Sequence, residues 1–190
     1  MVTSDRKLNC IFRTSAGKVA IIVLSTQPET LMRFSVDPED EKMKIGEAAP
    51  DFTLSDGDGN DWTLSDHRGR VVVLLFYPGD NTPVCTAQLC SVRDHWSEYQ
   101  ATGAEVVGIS TDSVASHKGF AEKNELPLRL LSDADRKVSA LYGMKSWLPG
   151  RSARGVVVID REGRIAYHKV ETLSLFRPAD EDVLTAIRNA

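Results

Sequence analysis

The strongest constraint on the fold is a short stretch where an unbroken apolar run meets a chain break and then a helix-like pattern. Residues 71–76 are apolar throughout, which is typical of a strand covered on both faces of a sheet. Two prolines and a glycine interrupt the chain over residues 77–83, and apolar residues at helical spacing follow. This order predicts a buried strand, a tight loop and a helix, the building unit of an α/β domain.

Cys85 is expected at or near the N-terminus of that helix. Free backbone N–H groups and the helix dipole at this end favour a negative charge, so the position stabilises a thiolate. Thr82 lies three residues before Cys85 and Cys90 lies five residues after it. A cysteine that only packs in a core needs neither neighbour, so the pattern predicts a reactive thiol. Thr82 also suits the N-cap of the helix.

Further along the chain, apolar runs and helical patterns alternate. The predicted elements are an early hairpin (51–54 with 61–64), one helix from Cys85 to about Thr102, strand 105–110, a helix capped by Asp112 or Ser113, strand 128–131, a helix through Leu141, a second hairpin (156–160 with 164–169) and a last helix over 180–189. This succession predicts an α/β fold with a mixed central sheet flanked by helices and an N-terminal hairpin.

Residues 1–42 differ in residue pattern from the rest of the chain. Their apolar run, 19–24, is shorter than the about 7–15 residues of a secretory signal core. The charged stretch 37–42 is typical of a solvated linker. We expect 1–42 to be a poorly ordered extension, or a segment upstream of a functional start at Met43, and 43–190 to form one domain.

Composition argues against several classes of protein. The net charge is −4 and the basic residues are dispersed, so nucleic-acid binding is not predicted. No apolar run approaches the about 20 residues needed to span a membrane, so no membrane partner is predicted. Three cysteines are too few for the disulfide framework of a secreted domain, and we expect a cytoplasmic protein. The four histidines lack metal-ligand spacing, so no metal site is predicted.

An ordered set of sequence blocks resembles the peroxiredoxins, and most of all their bacterioferritin-comigratory-protein or Q-type branch. The blocks are 76–78, 80–86, 90–94, 108–113, 130–133, 141–143, and Arg154 with 158–160 and Gly163. The resemblance covers about residues 43–188. It implies a thioredoxin-like fold and a monomeric thiol peroxidase that reduces hydrogen peroxide and organic hydroperoxides. It implies no metal or organic cofactor, and a thioredoxin-type protein as the electron donor.

The resemblance also implies roles for individual residues. Matched by position, these are Cys85 as the peroxidatic cysteine, Cys90 as the resolving cysteine, Thr82 and Pro83 as its loop partners, and Arg154 as the activating arginine. The stretch between Gly143 and Arg154 is shorter than in many relatives, so Arg151 is a competing candidate for that arginine, although Arg154 has the better spacing to Ile159 and Asp160. The family commonly has glutamate where Gln88 stands and an aromatic residue where Val92 stands. Gln88 keeps hydrogen-bonding capacity without the charge.

A disulfide between Cys85 and Cys90 conflicts with an intact helix. Residues five apart on a helix lie about 7.5 Å apart along the axis and roughly 140° apart around it. A disulfide needs Cα atoms within about 7 Å and converging Cβ vectors. We therefore predict that the first turns of the helix unwind on oxidation. Cys10 is an alternative resolving thiol.

Two other functions remain open from the residues alone. A thioredoxin-like disulfide oxidoreductase would carry Cys-x-x-Cys, whereas four residues separate Cys85 from Cys90. A peroxide sensor or thiol-dependent holdase would use the same Cys85 as a peroxidase. A peroxidase assay separates the sensor from the enzyme.

Overall fold

The computed structural model describes residues 9–13, 19–23, 43–146, 149–171 and 179–190. The chain divides into two compact units, Met1–Lys42 and Met43–Ala190. In the first unit, β1 (Asn9–Arg13) pairs antiparallel with β2 (Val19–Val23). The expectation that residues 1–42 are a poorly ordered extension, or precede the functional start, stays a prediction, and most of that segment lies outside the described residues.

Within the described part of the second unit, seven strands form one mixed sheet. They are β3 (Thr53–Asp56), β4 (Asp61–Thr63), β5 (Val72–Phe76), β6 (Glu105–Ser110), β7 (Arg129–Ser132), β8 (Arg154–Ile159) and β9 (Ile165–Glu171). Their order across the sheet is β4-β3-β7-β6-β5-β8-β9. The pairs β5–β6 and β6–β7 are parallel, and the other neighbouring pairs are antiparallel. The predicted mixed sheet and its early hairpin, β3 with β4, are both confirmed.

Helices cover this sheet. They are α1 (Pro83–Asp94), α2 (Trp96–Thr102), α3 (Val114–Lys123), α4 (Lys137–Leu141) and α5 (Asp180–Arg188), with a 3₁₀ helix at Leu64–His67. Ser113, not Asp112, caps α3, because its hydroxyl accepts a hydrogen bond from the backbone N–H of Ser116. In the part of the chain that is described, no helix has the length and apolar character needed to cross a membrane.

The segment after Cys85 forms two helices, so the prediction of one continuous helix to Thr102 is wrong. The backbone of His95 leaves helical geometry at φ −102° and ψ 17°. Its Nδ1 hydrogen-bonds to the carbonyl oxygen of Ser91 at 2.9 Å, and a side chain bonded into the helix ladder is a common cause of a break. Asp180 of α5 then binds both pieces, accepting hydrogen bonds from Ser91 of α1 and Tyr99 of α2. Tertiary contacts therefore stabilise the bend.

The sheet is buried on both faces, as the apolar run predicted. Alternate side chains of the central strand β5 pack into two separate hydrophobic core layers, one on each face of the sheet, with Leu74 in one layer and Leu75 in the other. The Leu75 layer is filled from α1, α2, α3 and α5, and it contains Cys85. The reactive-thiol candidate therefore follows a fully buried central strand and lies under helical cover.

Candidate active site

The loop between β5 and α1 brings Cys85 into position. A Cβ atom at Gly79 would collide with the guanidinium of Arg151, so a larger residue there would displace the Arg151 side chain from the loop. Asn81 adopts a left-handed conformation at φ 57°, which asparagine tolerates better than most residues. Pro83 is the first residue of α1, where the N–H that proline lacks would have no helical partner. These local preferences end the strand and start the helix two residues before Cys85.

Cys85 is the third residue of α1 and is only 1% exposed. The backbone N–H groups of the first helical turn have no intrahelical acceptor, and together they favour an anion at this end. Its thiol is free, as is that of Cys90. A buried sulfur at the positive end of a helix is therefore available as a nucleophile.

The guanidinium of Arg154 faces the Cys85 sulfur. Strand β8 runs antiparallel to β5 with Gly155 opposite Phe76, so Arg154 lies at the end of β5 from which the loop leaves. Its Nη2 donates to Cys85 Sγ at 3.2 Å, and its Nη1 donates to Gln88 Oε1. The side chain is almost fully buried. An arginine that stays charged at this distance stabilises a thiolate relative to a thiol.

Arg151, the competing candidate, lies elsewhere. Its Nη1 donates to the carbonyl oxygen of Pro78 at 3.1 Å and is 3.4 Å from Asp112 Oδ1. Its side chain is 42% exposed, so water screens its charge. Of the two arginines, the structure brings Arg154 to the thiol and uses Arg151 to hold the loop.

Thr82 occupies the N-cap position of α1, but its side chain makes no capping hydrogen bond. The hydroxyl donates instead to the carbonyl oxygen of Gly79 at 3.2 Å. The predicted N-cap position of Thr82 is therefore confirmed, but its hydroxyl does not cap the helix. The hydroxyl closes the loop on itself and keeps its lone pairs available as acceptors.

Cys90 lies on the same helix as Cys85 and is partly buried. Its Sγ is 4.0 Å from Asn124 Oδ1, a weak contact. Helix α1 is continuous from Pro83 to Asp94, so the two cysteines are on unbroken helix. In this conformation the predicted disulfide is geometrically excluded. Cys10 lies on β1, and its alternative role as resolving thiol stays a prediction.

A buried polar cluster behind the loop was not predicted from the sequence. The carboxylate of Asp80 accepts hydrogen bonds from Tyr77 Oη at 2.8 Å and from Ser116 Oγ at 2.7 Å. His117 Nδ1 lies 3.0 Å from the second carboxylate oxygen of Asp80. His117 Nε2 lies 3.2 Å from the carbonyl oxygen of Leu131. The loop before Cys85 is thus bound to α3 and β7.

Burial and hydrogen bonding shift the pKa values in this cluster. Burial raises the pKa of Tyr77 well above its usual value, and the neighbouring charge of Asp80 raises it further. Burial by itself also raises the pKa of Asp80, but hydrogen bonds from His117 and Ser116 outweigh it, and the net pKa is lowered. One feature of the sequence could have indicated this cluster. His117 lies three residues before Phe120, a spacing that places both on one face of a helix, and in the structure both are buried on the inner face of α3.

Comparison with known proteins decides the family. The sequence profile of the AhpC/TSA family matches residues 45–168. The chain belongs to the AhpC/TSA family. This confirms the relationship that the sequence blocks predicted.

AhpC/TSA relatives of known sequence include chloroplastic peroxiredoxin Q proteins. The one from Triticum aestivum is 47% identical over 130 residues, which make up 66% of this chain and 58% of that protein. The one from Arabidopsis thaliana is 47% identical over 123 residues, covering 64% of this chain and 57% of that protein. The chain therefore spans less than two thirds of the length of these curated relatives.

Solved structures of AhpC/TSA-type proteins share the fold. The crystal structure of peroxidoxin BcpB from Mycobacterium tuberculosis is 35% identical, with a TM-score of 0.70, and the match covers 77% of this chain and 97% of that one. The reduced 2-Cys peroxiredoxin of Plasmodium vivax is 26% identical, also with a TM-score of 0.70, over 76% of this chain and 80% of that one. The predicted thioredoxin-like peroxiredoxin fold is thus confirmed.

No metal-binding cluster accompanies the thiol. Among the described residues, no three or more His, Cys, Asp or Glu side chains are grouped so that they hold a metal ion. The groups that surround Cys85 in the described structure are an arginine, an amide and a helix N-terminus. Such a site supports chemistry carried by the sulfur itself.

Proposed function

We propose that this AhpC/TSA-family protein is a thiol peroxidase that reduces hydrogen peroxide and organic hydroperoxides. The observation that carries the proposal is the 3.2 Å contact between Arg154 Nη2 and Cys85 Sγ in a buried site. The thiolate is the reactive form of cysteine, and a guanidinium stabilises it without giving up a proton. The names of the relatives, peroxiredoxin Q and 2-Cys peroxiredoxin, support the same activity.

In the first step the Cys85 thiolate attacks one oxygen of the hydroperoxide. A sulfur–oxygen bond forms as the oxygen–oxygen bond breaks, and the departing oxygen leaves with the electron pair. That oxygen takes up from solvent the proton that the thiol released, and it becomes an alcohol, or water when the substrate is hydrogen peroxide. Cys85 is thereby oxidised to a sulfenic acid. Arg154 stabilises the charge that moves from sulfur to oxygen. The Thr82 hydroxyl accepts from the incoming peroxide, and Pro83 shields the thiol and holds the loop.

The burial of Cys85 favours a small substrate. Its side chain is 1% exposed, whereas thiol–disulfide exchange requires a second sulfur to approach along the axis of the bond that breaks. A hydroperoxide presents a terminal oxygen and fits a nearly closed site. This argues for a peroxidase rather than a disulfide oxidoreductase.

The second step resolves the sulfenic acid with Cys90. The Cys90 sulfur attacks Cys85, a disulfide forms, and the hydroxyl of the sulfenic acid leaves as water with the thiol proton. Because α1 is continuous through both cysteines, its first turns must unwind before the sulfur atoms meet. A thioredoxin-type dithiol protein then reduces the disulfide and supplies both electrons. We further propose that the protein acts as a monomer in the cytoplasm without a metal or organic cofactor.

A stopped-flow assay of peroxide consumption with a dithiol reductant tests the activity. We expect turnover by the wild-type protein and none above the buffer rate with Cys85→Ser. Cys90→Ser is the matched control, because it should still be oxidised once at Cys85 while losing turnover. A Cys85→Ser protein that still consumes peroxide would refute the proposal.

Peptide mapping tests the resolution step separately. After one equivalent of peroxide we expect a Cys85–Cys90 disulfide, together with a loss of far-ultraviolet helix signal equivalent to the first turns of α1. A Cys85–Cys10 disulfide, or a Cys85–Cys90 bond with unchanged helix content, would contradict it. Both outcomes leave the peroxidase activity itself standing.

A further inference from the structure

The buried cluster around Asp80 links the loop before Cys85 to the rest of the domain. Asp80 lies five residues before Cys85, and its carboxylate points to α3, where Ser116 and His117 bind it. The backbone N–H of Asp80 also donates to Asp112 Oδ2 at 2.8 Å. The middle of the loop is therefore held through both its side chain and its main chain.

The ring of His117 lies between two hydrogen-bond acceptors. Nδ1 faces the carboxylate of Asp80 at 3.0 Å and Nε2 faces the carbonyl oxygen of Leu131 at 3.2 Å. Both ring nitrogens therefore lie within hydrogen-bond distance of an acceptor. The side chains of His117 and Asp80 are almost fully buried, at 0% and 1% exposure. A buried hydrogen-bonded pair of this kind holds two segments in one arrangement, because separating it leaves polar groups buried without a partner.

The shape of the loop depends on this anchor. Asn81 follows Asp80 in a left-handed conformation, and Thr82 follows at the N-cap of α1. The first backbone bond of the helix, from Thr86 N–H to Thr82 O, starts from that residue. A shift of Asp80 therefore moves the point where α1 begins, and with it the direction in which Cys85 meets Arg154.

We propose that Asp80 and His117 are positioning residues for the Cys85 thiolate. The buried hydrogen bond between them keeps the loop and the first turns of α1 in the arrangement that reacts with peroxide. Neither side chain is among the hydrogen-bond partners of the Cys85 sulfur, so they act through the backbone between Asp80 and Cys85. Breaking the pair opens this end of α1 while the rest of the domain stays folded. The peroxide part of the inference rests on the proposed peroxidase function.

Two substitutions of His117 separate the pair from the burial of the ring. The amide nitrogen of Asn lies near the position of Nδ1, so His117→Asn retains a donor to Asp80. The longer Gln places its amide near the position of Nε2, so His117→Gln retains the bond to Leu131 and loses the bond to Asp80. Both variants remove the ring, which makes them matched controls for each other. Asp133→Asn is the control for general destabilisation, because Asp133 binds the backbone of α4 at Val138 and Ser139.

Two measurements decide the question. In stopped-flow oxidation by hydrogen peroxide, we expect His117→Gln to be roughly 10- to 100-fold slower than wild type, the cost of a small misplacement of a reacting group. We expect His117→Asn and Asp133→Asn to stay within about threefold of wild type, since each retains the bond to Asp80. In hydrogen exchange of the reduced protein, amides of residues 79–90 should exchange faster in His117→Gln only.

The outcomes separate this inference from the proposed function. If the wild-type thiol does not react with peroxide, the proposed function fails, and hydrogen exchange still decides whether the pair anchors the loop. If the wild-type protein reacts and His117→Gln matches His117→Asn in both measurements, the positioning role is refuted. Equal effects from Asp133→Asn would refute it as well, because they would show general destabilisation.

Discussion

Replacing Arg154 is the most direct perturbation of the site. Arg154→Met removes the charge from a buried position and keeps an unbranched side chain that fills the space beside Cys85. Arg154→Lys keeps a positive charge but lacks the planar fork that binds Cys85 Sγ and Gln88 Oε1 together. Arg151→Gln is the matched control, because Arg151 is also an arginine near the loop but binds Pro78 and Asp112.

The expected size of the effect follows from the distance. Two unit charges 3.2 Å apart attract each other by about 5 kcal/mol at an effective dielectric constant of roughly 20. The cost of desolvating the guanidinium offsets part of this attraction. The net attraction that is left agrees with a loss of about 10²–10³-fold in rate, which is typical when one fixed donor to a developing charge is removed. We expect that loss for Arg154→Met and roughly a tenfold loss for Arg154→Lys, about 1.4 kcal/mol of barrier.

The assay is the second-order rate constant for oxidation of reduced protein by hydrogen peroxide, followed by stopped-flow tryptophan fluorescence. Chemical denaturation of each variant establishes that the compared proteins are folded. Arg151→Gln should change the rate constant by less than about fivefold, since exposed ion pairs contribute about 0–1 kcal/mol. A fully folded Arg154→Met protein that reacts at the wild-type rate would refute the role assigned to Arg154. A loss in Arg151→Gln as large as the one expected for Arg154→Met would contradict the assignment of Arg154 over Arg151.

Three further changes test other parts of the site. Thr82→Val should slow oxidation by about 10²-fold. It should have little effect on unfolding, because the hydroxyl does not cap α1, and Thr82→Ser should keep the wild-type rate. Gln88→Glu places a carboxylate about 5–6 Å from the thiolate, because side chains three residues apart on a helix have that separation. The two negative charges repel each other by about 3 kcal/mol, and the positive charge of Arg154 offsets part of this repulsion. We expect roughly tenfold slower oxidation, and an equal or faster rate would contradict this reasoning. The pKa of Asp80 in the folded protein lies below its value of about 3.9 in the unfolded chain. Ionised Asp80 therefore stabilises the fold above about pH 3.9, and this contribution is lost as the pH falls through the folded pKa. Denaturation between about pH 6 and pH 3 should show this loss in the wild-type protein and a smaller loss in Asp80→Asn.

Local patterns predicted the elements that carry the thiol. The apolar run before Pro78 is β5, and the prolines and glycine that follow end the strand and start α1. These features depend on residues close together in the chain, through burial on both faces, fixed φ angles and missing N–H groups. The break at His95 was missed, because the helical spacing of the apolar residues continues across it and the contacts of Asp180 that stabilise the bend come from the far end of the chain.

The sequence by itself determined the fold class, the family and the position of Cys85 at the start of a helix. Its blocks also singled out Arg154, which has the better spacing to Ile159 and Asp160, but the short stretch after Gly143 left Arg151 as a competing candidate. Only the tertiary structure separated them. Arg154 is 69 residues from Cys85 in the chain, and the pairing of β8 with β5, Gly155 opposite Phe76, brings it to the sulfur. The hydrogen bond between Asp80 and His117 was likewise decided by the tertiary structure. These residues are 37 apart in the chain, so their contact depends on how α3 packs and not on any local pattern.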